Sequence, residues 1–576
     1  MACCPTTFPV VSEHTIDVTV RRMVCAIALL LLLGFGAHVL GNETHAQGML
    51  TAESSGSTIG RVVKNATDRP PLKGAIWGIA IRNLETGEML FSRNAEINAT
   101  PASNVKLYTS AAALETMGPD FRYVTRVYRG GPVEDGVLKG PLVIRGSGDP
   151  SIGGLHADDP TRVFRSWADS LRAAGIRQID GAILGDDNVF DDEAFGKGWS
   201  WDDMPFYYAA EISGLSFHRN VIDLTVRGQR EGMPATLSWT PIQTDYVEIV
   251  NHSVTSSYGT RTDEDYRRTP GTNTIHVGTT VPPNGIEREE LTISNPTLFF
   301  AYVLREVLID AGISVTGTAV DVDDVPIPPS YKDGSLKRVA SYTSPPLGEL
   351  VGAANEESDN LYAEHIFRSL SLYGTLAPPT SRPDVSILAG SAAPDTSSDD
   401  PSRSDVSESD RRVVRTAALT SRHAPLPADL KPGTAEAGAF MIRSVAARAN
   451  VDTVRIQFAD GSGLSRHNLV SAGATVNLLA YMYTHPNRAV RTAYLKSLPL
   501  GGRDGTLEYR FQGNAAAARN VRAKTGTLSN VNALSGYVTS RQGTPIAFSI
   551  LCINHTTRSS NIRRAQDAIV NALARL

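Results

Sequence analysis

The stretch Pro101-Ala102-Ser103-Asn104-Val105-Lys106 runs straight into the apolar segment Leu107 to Leu114. How this junction is read decides the fold. Locally it is a helix start. Leu107-Tyr108-Thr109-Ser110-Ala111-Ala112-Ala113-Leu114 is rich in good helix formers, and Ser103 stands at or near its N-terminus, where a hydroxyl can satisfy a free N–H. Three residues of helix bring Ser103 and Lys106 onto one face, about one turn apart. That spacing allows an amine to take a proton from a hydroxyl. It is also what an ordinary N-cap followed by a solvated lysine looks like, so the rest of the chain has to separate the two.

Upstream, Arg21 and Arg22 precede Met23, and Val24 to Phe35 is almost wholly apolar. A positive region, a short apolar core and the small residue Ala46 read as a secretory signal peptide over residues 1–46, with Met23 an alternative start. The core falls short of the roughly 20 residues of a membrane span, so no stable span is expected after cleavage; a retained anchor is the alternative. Cys3, Cys4 and Cys25 lie in or before the signal, which leaves Cys552 alone in the mature chain. That excludes an intramolecular disulfide and a cysteine metal site. The chain is 41% hydrophobic and 20% charged, as globular proteins are, and long enough for two or more domains. A net charge of −5 over 576 residues gives no reason to expect a nucleic-acid partner.

Residues 59–100 read as a helix followed by a hairpin: Ile76 to Ile81 and Met89 to Phe91 are strand-like about Glu85-Thr86-Gly87. Further strands are expected at Val124 to Tyr128, Leu142 to Ile144 and Ala182 to Leu184, with a helix over 161–175. The middle third carries short β runs at Val221 to Val226, Ala235 to Trp239, Tyr246 to Ile249 and Thr274 to Val277, which suggests a β-rich region. Asn295 to Ala311 reads as a helix, with Pro296 at its start and Gly312 past its end. The acidic cluster Asp186-Asp187 and Asp191-Asp192-Glu193 lacks the spacing and glycine of a calcium loop, and a hydrogen-bonded turn is the better reading. Residues 377–428, rich in Pro, Ser, Asp and Arg, read as a disordered insertion or long loop.

Two later stretches match the chemistry suspected at Ser103. Ser358-Asp359-Asn360 opens a helix-like run, and Lys524-Thr525-Gly526-Thr527 lies in a set of strands at Val521 to Thr527, Ala533 to Val538 and Ile546 to Ile553. A closing helix follows over Ser559 to Leu576, with Ile562, Ala565, Ile569, Leu573 and Leu576 at helical spacing. Ser-x-x-Lys, Ser-x-Asn and Lys-Thr-Gly in that order form the set found in β-lactamases and penicillin-binding proteins. A lone Ser-x-x-Lys should occur about once by chance in a chain this long; the ordered triple is far more specific.

On these residues the chain resembles the class C low-molecular-mass penicillin-binding proteins, the D-alanyl-D-alanine carboxypeptidase/endopeptidases. Gly146-Ser147-Gly148-Asp149-Pro150-Ser151, Gly185-Asp186-Asp187, Trp199 to Asp203 with Tyr208 to Asn220, Asp460 to Arg466, and Leu498-Pro499 through Leu507 look like further blocks of that family. The long interval from Lys106 to Ser358 fits as well. The resemblance implies an α+β, multi-domain protein. Its β-lactamase/transpeptidase-like domain, an antiparallel sheet flanked by helices, would comprise 59–122 and 341–576, and β-rich inserted domains would occupy 123–340. The 377–428 insertion departs from the family pattern.

The resemblance also implies roles. Ser103 would attack the penultimate D-alanine carbonyl of a peptidoglycan stem peptide, forming an acyl-enzyme. Lys106 would be the base, its pKa lowered by desolvation and by positive charge supplied by Lys524. Ser358 would relay a proton to the departing D-alanine, and Asn360 would position Lys106 and the substrate amide. Lys524 with Thr525 and Thr527, in the Lys-Thr-Gly-Thr run that includes Gly526, would hold the substrate or penicillin carboxylate. The N–H groups of Ser103 and Thr527 would form the oxyanion hole. No metal or other cofactor is implied. The expected partners are peptidoglycan peptides and β-lactams, and the expected location is the periplasm or cell envelope; the oligomeric state stays open. A serine β-lactamase and a catalytically weak wall-binding protein are the alternatives. His365 and His467 lack a motif that would make either a base, and the Asp460-Gly461-Ser462-Gly463 loop reads as a turn shaping the site.

Overall fold

The two ends of the chain meet in one sheet. The computed structural model describes residues 58–155, 157–374 and 426–576. The expected signal segment, and the expected insertion apart from 426–428, lie outside the described residues. Helix α1 (Thr58–Thr67) leads to the hairpin of β1 (Ile76–Asn83) and β2 (Met89–Arg93), and then to α2 (Val105–Thr116). Beyond residue 343 come α3 (Leu347–Glu356), α4 (Asn360–Tyr373), α5 (Ala435–Arg448), α6 (Ala472–Tyr483) and α7 (Arg488–Lys496). Strands β3 (Arg522–Leu528), β4 (Val531–Thr539) and β5 (Pro545–Ile553) and helix α8 (Ser559–Leu573) close the chain.

The sheet runs β2-β1-β5-β4-β3, antiparallel throughout. Its first turn forms because the Asn83 side chain accepts from the N–H groups of Glu85 and Thr86, while Gly87 takes φ +75°, which costs a glycine little. Strands β4 and β5 are buried almost end to end because helices cover both faces. The period of two sorts their side chains. Trp77, Ile79, Ile81, Phe548 and Ile550 pack with Ile562 and Ile569 of α8 and Val63 of α1. Ala80, Ala547 and Leu551 turn the other way, onto the core built around α2. Helix α2 is buried on every side, and its core neighbours come from α3, α4, α5 and α6. A helix apolar all round belongs at the centre of a layer.

Between α2 and α3 the chain leaves and returns through adjacent antiparallel strands, Val124–Arg129 and Lys337–Thr343, with Val124 opposite Thr343. Leu142–Arg145 joins that sheet antiparallel to Val124–Arg129, and Ile183–Asp186 and Ala319–Asp321 then extend it in parallel. Helix Arg162–Ala173 lies between Leu142–Arg145 and Ile183–Asp186 in sequence. The middle β runs build further small sheets, one of them Thr236–Thr240, Val221–Arg227 and Ile286–Thr292. Phe164, Trp167, Phe217, Phe299 and Phe300 fill the core of this part, with Phe164 stacked on Phe217 at 4.7 Å between ring centroids. Helix Pro296–Asp310 is capped by Asn295, whose Oδ1 accepts from Leu298 N.

The expected strands form with bounds shifted by a residue or two. Ile286–Thr292 escapes the period reading because it is an edge strand carrying Glu287, Arg288, Glu289 and Glu290. Helix α6 escapes it because its partly exposed side carries Ala and Tyr beside Asn477 and so lacks a polar stripe. Among the described residues no helix is long and apolar enough to cross a membrane.

Candidate active site

Ser103 sits in a 3₁₀ turn, Ala102–Asn104, that opens α2. The turn is tight: Ala102 takes φ +48°, and Asn104, fully buried, donates through Nδ2 to the Lys524 carbonyl at 3.0 Å. The local reading of Ser103 as an N-cap is not what forms. Asn104 is the residue at the cap position, with no side-chain cap bond, and Ser103 Oγ lies 3.3 Å from Lys106 Nζ instead. Lys106 also donates to Asn360 Oδ1 at 2.6 Å and to the Ser462 carbonyl at 2.8 Å.

Ser358 and Asn360 flank the start of α4. Asp359 is its cap, with Oδ1 accepting from Tyr362 N at 2.9 Å, so neither Ser358 nor Asn360 serves as a plain cap. Ser358 takes φ +62° and accepts from Lys524 Nζ at 2.8 Å. The Asn360 amide nitrogen donates to the Tyr208 carbonyl at 2.7 Å, which holds Oδ1 toward Lys106. Lys524 lies on β3, the terminal strand of the sheet, where Thr525 is half-buried and Thr527 exposed. Gly526 passes so close to the nucleophile turn that a Cβ there would stand 2.8 Å from the Pro101 carbonyl and 3.1 Å from Ser103 N. Asn532 on β4 donates to Thr527 Oγ1 at 3.2 Å. The structure thus brings Ser103, Lys106, Ser358, Asn360 and the Lys524–Thr527 strand to one place.

Burial sets the electrostatics. Lys106 and Lys524 are both fully buried. Desolvation brings Lys106 down to about 8, although the carboxylates of Asp359, Asp460 and Glu364 pull it upward. Lys524 is held well below the ordinary lysine range by burial and then by the Lys106 charge. Of the two causes expected for the Lys106 shift, desolvation leads, and the repulsion between the lysines also lowers Lys524.

The Asp460-Gly461-Ser462-Gly463 loop lies against Lys106 as a turn of the site, whereas Glu364 escapes a reading by motif. Asp460 accepts from Gly463 N at 2.8 Å, Ser465 N at 2.6 Å and the Trp199 indole at 3.0 Å. Buried Glu364 accepts from Gly461 N at 3.0 Å and Ser462 N at 2.7 Å, and so aims the Ser462 carbonyl at Lys106. Glu364 follows Asn360 by four residues on α4, a spacing that could have revealed it; a backbone carbonyl such as that of Ser462 leaves no mark in a sequence. His365 is fully buried between the Gly148 carbonyl and Ser216 Oγ, and burial pushes it down to about 4. The acidic cluster is hydrogen-bonded, as expected: Asp186 accepts from Tyr331, Asp187 from Ser213 and Thr297, and Asp191 pairs with Arg368.

The chain is similar to known proteins along most of its length. The model of the D-Ala-D-Ala carboxypeptidase 3 (S13) family matches residues 60–389 and 427–576. A D-alanyl-D-alanine carboxypeptidase of Actinomadura sp. (strain R39) is 31% identical over 88% of this chain and 82% of its own length. The D-alanyl-D-alanine carboxypeptidase DacB of Haemophilus influenzae is 23% identical over 84% of this chain and 87% of its own. The crystal structure of penicillin binding protein 4 (dacB) from Haemophilus influenzae superposes with a TM-score of 0.68 at 19% identity, covering 90% of this chain and all of that one. A family match over residues 60–389 and 427–576, well over half of the chain, places the protein in the D-Ala-D-Ala carboxypeptidase 3 (S13) family.

Proposed function

We propose that this serine-type D-Ala-D-Ala carboxypeptidase acylates through Ser103 with neutral Lys106 as base. One observation carries the assignment. Two of the three groups around Lys106 Nζ, Asn360 Oδ1 and the Ser462 carbonyl, can only accept hydrogen bonds. A neutral amine uses both of its N–H groups on them, and its lone pair is left for the third neighbour, the Ser103 hydroxyl. Burial lowers the cost of reaching that neutral form.

Ser103 Oγ then bonds to the penultimate D-alanine carbonyl carbon as its proton passes to Lys106. The C–N bond to the terminal D-alanine breaks as Ser358, held by Lys524, passes its hydroxyl proton to the departing nitrogen. Ser358 is reprotonated with the proton that Lys106 took from Ser103, which returns Lys106 to its neutral form. Water cleaves the ester and restores the hydroxyl. Lys524, Thr525 and Thr527 take the substrate carboxylate, Asn360 orients Lys106, and the N–H groups of Ser103 and Thr527 receive the oxyanion. β3 is the terminal strand of the sheet; its first residues pair with Pro499 and Leu500, and we read the stretch from Thr525 onward as the edge that would pair with an extended peptide. We treat 123–340 as an insertion, which the adjacent strands at 124–129 and 337–343 support. We also read the enzyme as exported, acting on peptidoglycan peptides as carboxypeptidase or endopeptidase, and sensitive to β-lactams.

Labelling with a fluorescent penicillin tests the assignment. The wild type should take the label and Ser103→Ala should take none. An unlabelled wild type would sink the mechanism; label surviving in the variant would sink the choice of nucleophile.

A further inference from the structure

His218, Arg219 and Asn220 adopt φ values of +50°, +53° and +58°. Left-handed backbone costs a residue with a Cβ roughly 1 kcal/mol or more, and three in a row persist only where the surroundings over-determine them. They do here. His218 bonds the Gly153 carbonyl through Nδ1 and Asp223 through Nε2, and Asn220 donates to the Glu211 carbonyl and to Ser216 Oγ. The middle residue is thereby turned toward the catalytic motifs. The Arg219 guanidinium reaches Asp359 Oδ2 at 3.4 Å, pairs with Glu290 and lies over the Tyr207 ring. Its side chain is 10% exposed and that of Asp359 4%.

Asp359 stands between Ser358 and Asn360, and its two oxygens have separate duties. Oδ1 caps α4, and Oδ2 is held by Arg219. We propose that Arg219 is a positioning residue for acylation, its grip on Asp359 holding strained Ser358 toward Lys524 and Asn360 toward Lys106. The neighbouring Tyr208 carbonyl acts on the same motif by taking the Asn360 amide. On this view residues 207–220 supply part of the scaffold of the site. The inference rests on the roles given above to Ser358 and Asn360.

The test is a mutant cycle of Arg219→Gln, Asp359→Asn and the double variant, with Arg219→Lys as the conservative change. Asparagine keeps the helix cap. Readouts are the second-order rate of fluorescent-penicillin acylation, kcat and KM on a D-Ala-D-Ala peptide, and the melting midpoint. Arg219→Gln should slow acylation by about 10- to 100-fold, the scale of a small misplacement of catalytic groups, with the loss in kcat rather than KM. Arg219→Lys should recover part of it, and the double variant should be no slower than Asp359→Asn within about twofold. Multiplying losses, or a lowered melting midpoint with unchanged acylation, would overturn the proposal, and Arg219→Lys decides it if Arg219→Gln does not fold. A wild type that takes no label at Ser103 would instead overturn the underlying mechanism.

Discussion

At the residue scale the site is a contest between two buried lysines. Both cannot be charged cheaply at such proximity, and neither is exposed to water. The proposed duties differ: Lys106 would accept a proton, whereas Lys524 would hold a substrate carboxylate, whose negative charge favours the protonated amine that burial and Lys106 disfavour. With Lys106 brought down to about 8, its protonated form dominates below that pH and cannot act as base. Acylation should therefore rise with pH through about 8 and fall roughly tenfold for each unit below it. The pH dependence of the second-order labelling rate measures this, and a flat profile between pH 6 and 9 would contradict the role of Lys106. Reading Ser103 and Lys106 as a pair took the ordered triple of motifs; from spacing alone only a shared helix face was legible. The protonation of the pair was not, because it depends on Asp359, Asp460 and Glu364, which are distant from Lys106 in sequence.

At the element scale, the nucleophile turn is clamped between two backbones. Gly463, at φ +90°, lies so close that a Cβ would stand 2.0 Å from the Ala102 carbonyl, and Gly526 presses from the β3 side. Neither neighbour can move without shifting the start of α2. Gly463→Ala should accordingly cut acylation by about 100-fold or more. Thr434→Ala serves as the contrast. It removes the cap of α5, where Thr434 Oγ1 accepts from Ala437 N at 3.2 Å, and should cost about 1 kcal/mol while labelling stays at the wild-type rate. Denaturant unfolding and labelling on the same samples separate the two effects; normal labelling of Gly463→Ala would mean that the turn is not clamped. Helix α8 could be read from its apolar positions because it has one buried face and one wet face. Helix α6 could not, for want of a polar stripe.

For the whole molecule, the distribution of carboxylates bears on the fate of the acyl-enzyme. Glu364 is spent on the N–H groups of Gly461 and Ser462, Asp460 on those of Gly463 and Ser465, and Asp359 on its cap and Arg219. None of the three bonds Ser103 or Lys106. With these acids committed to holding the site together, none is placed to activate a hydrolytic water on a β-lactam adduct. Nitrocefin should give a burst of about one equivalent followed by slow turnover; sustained rapid hydrolysis would favour the β-lactamase alternative. The sequence by itself determined the order of the three motifs and the strands and helices that carry them. Those readings follow from local periodicity and from residue types that few other roles bring together. Only the tertiary structure decided what surrounds Lys106, which way Asn360 turns, and that Arg219 reaches Asp359 across 140 residues of sequence. The physical reason is that burial and long-range hydrogen bonds arise from packing between segments far apart in the chain, and no local pattern encodes them.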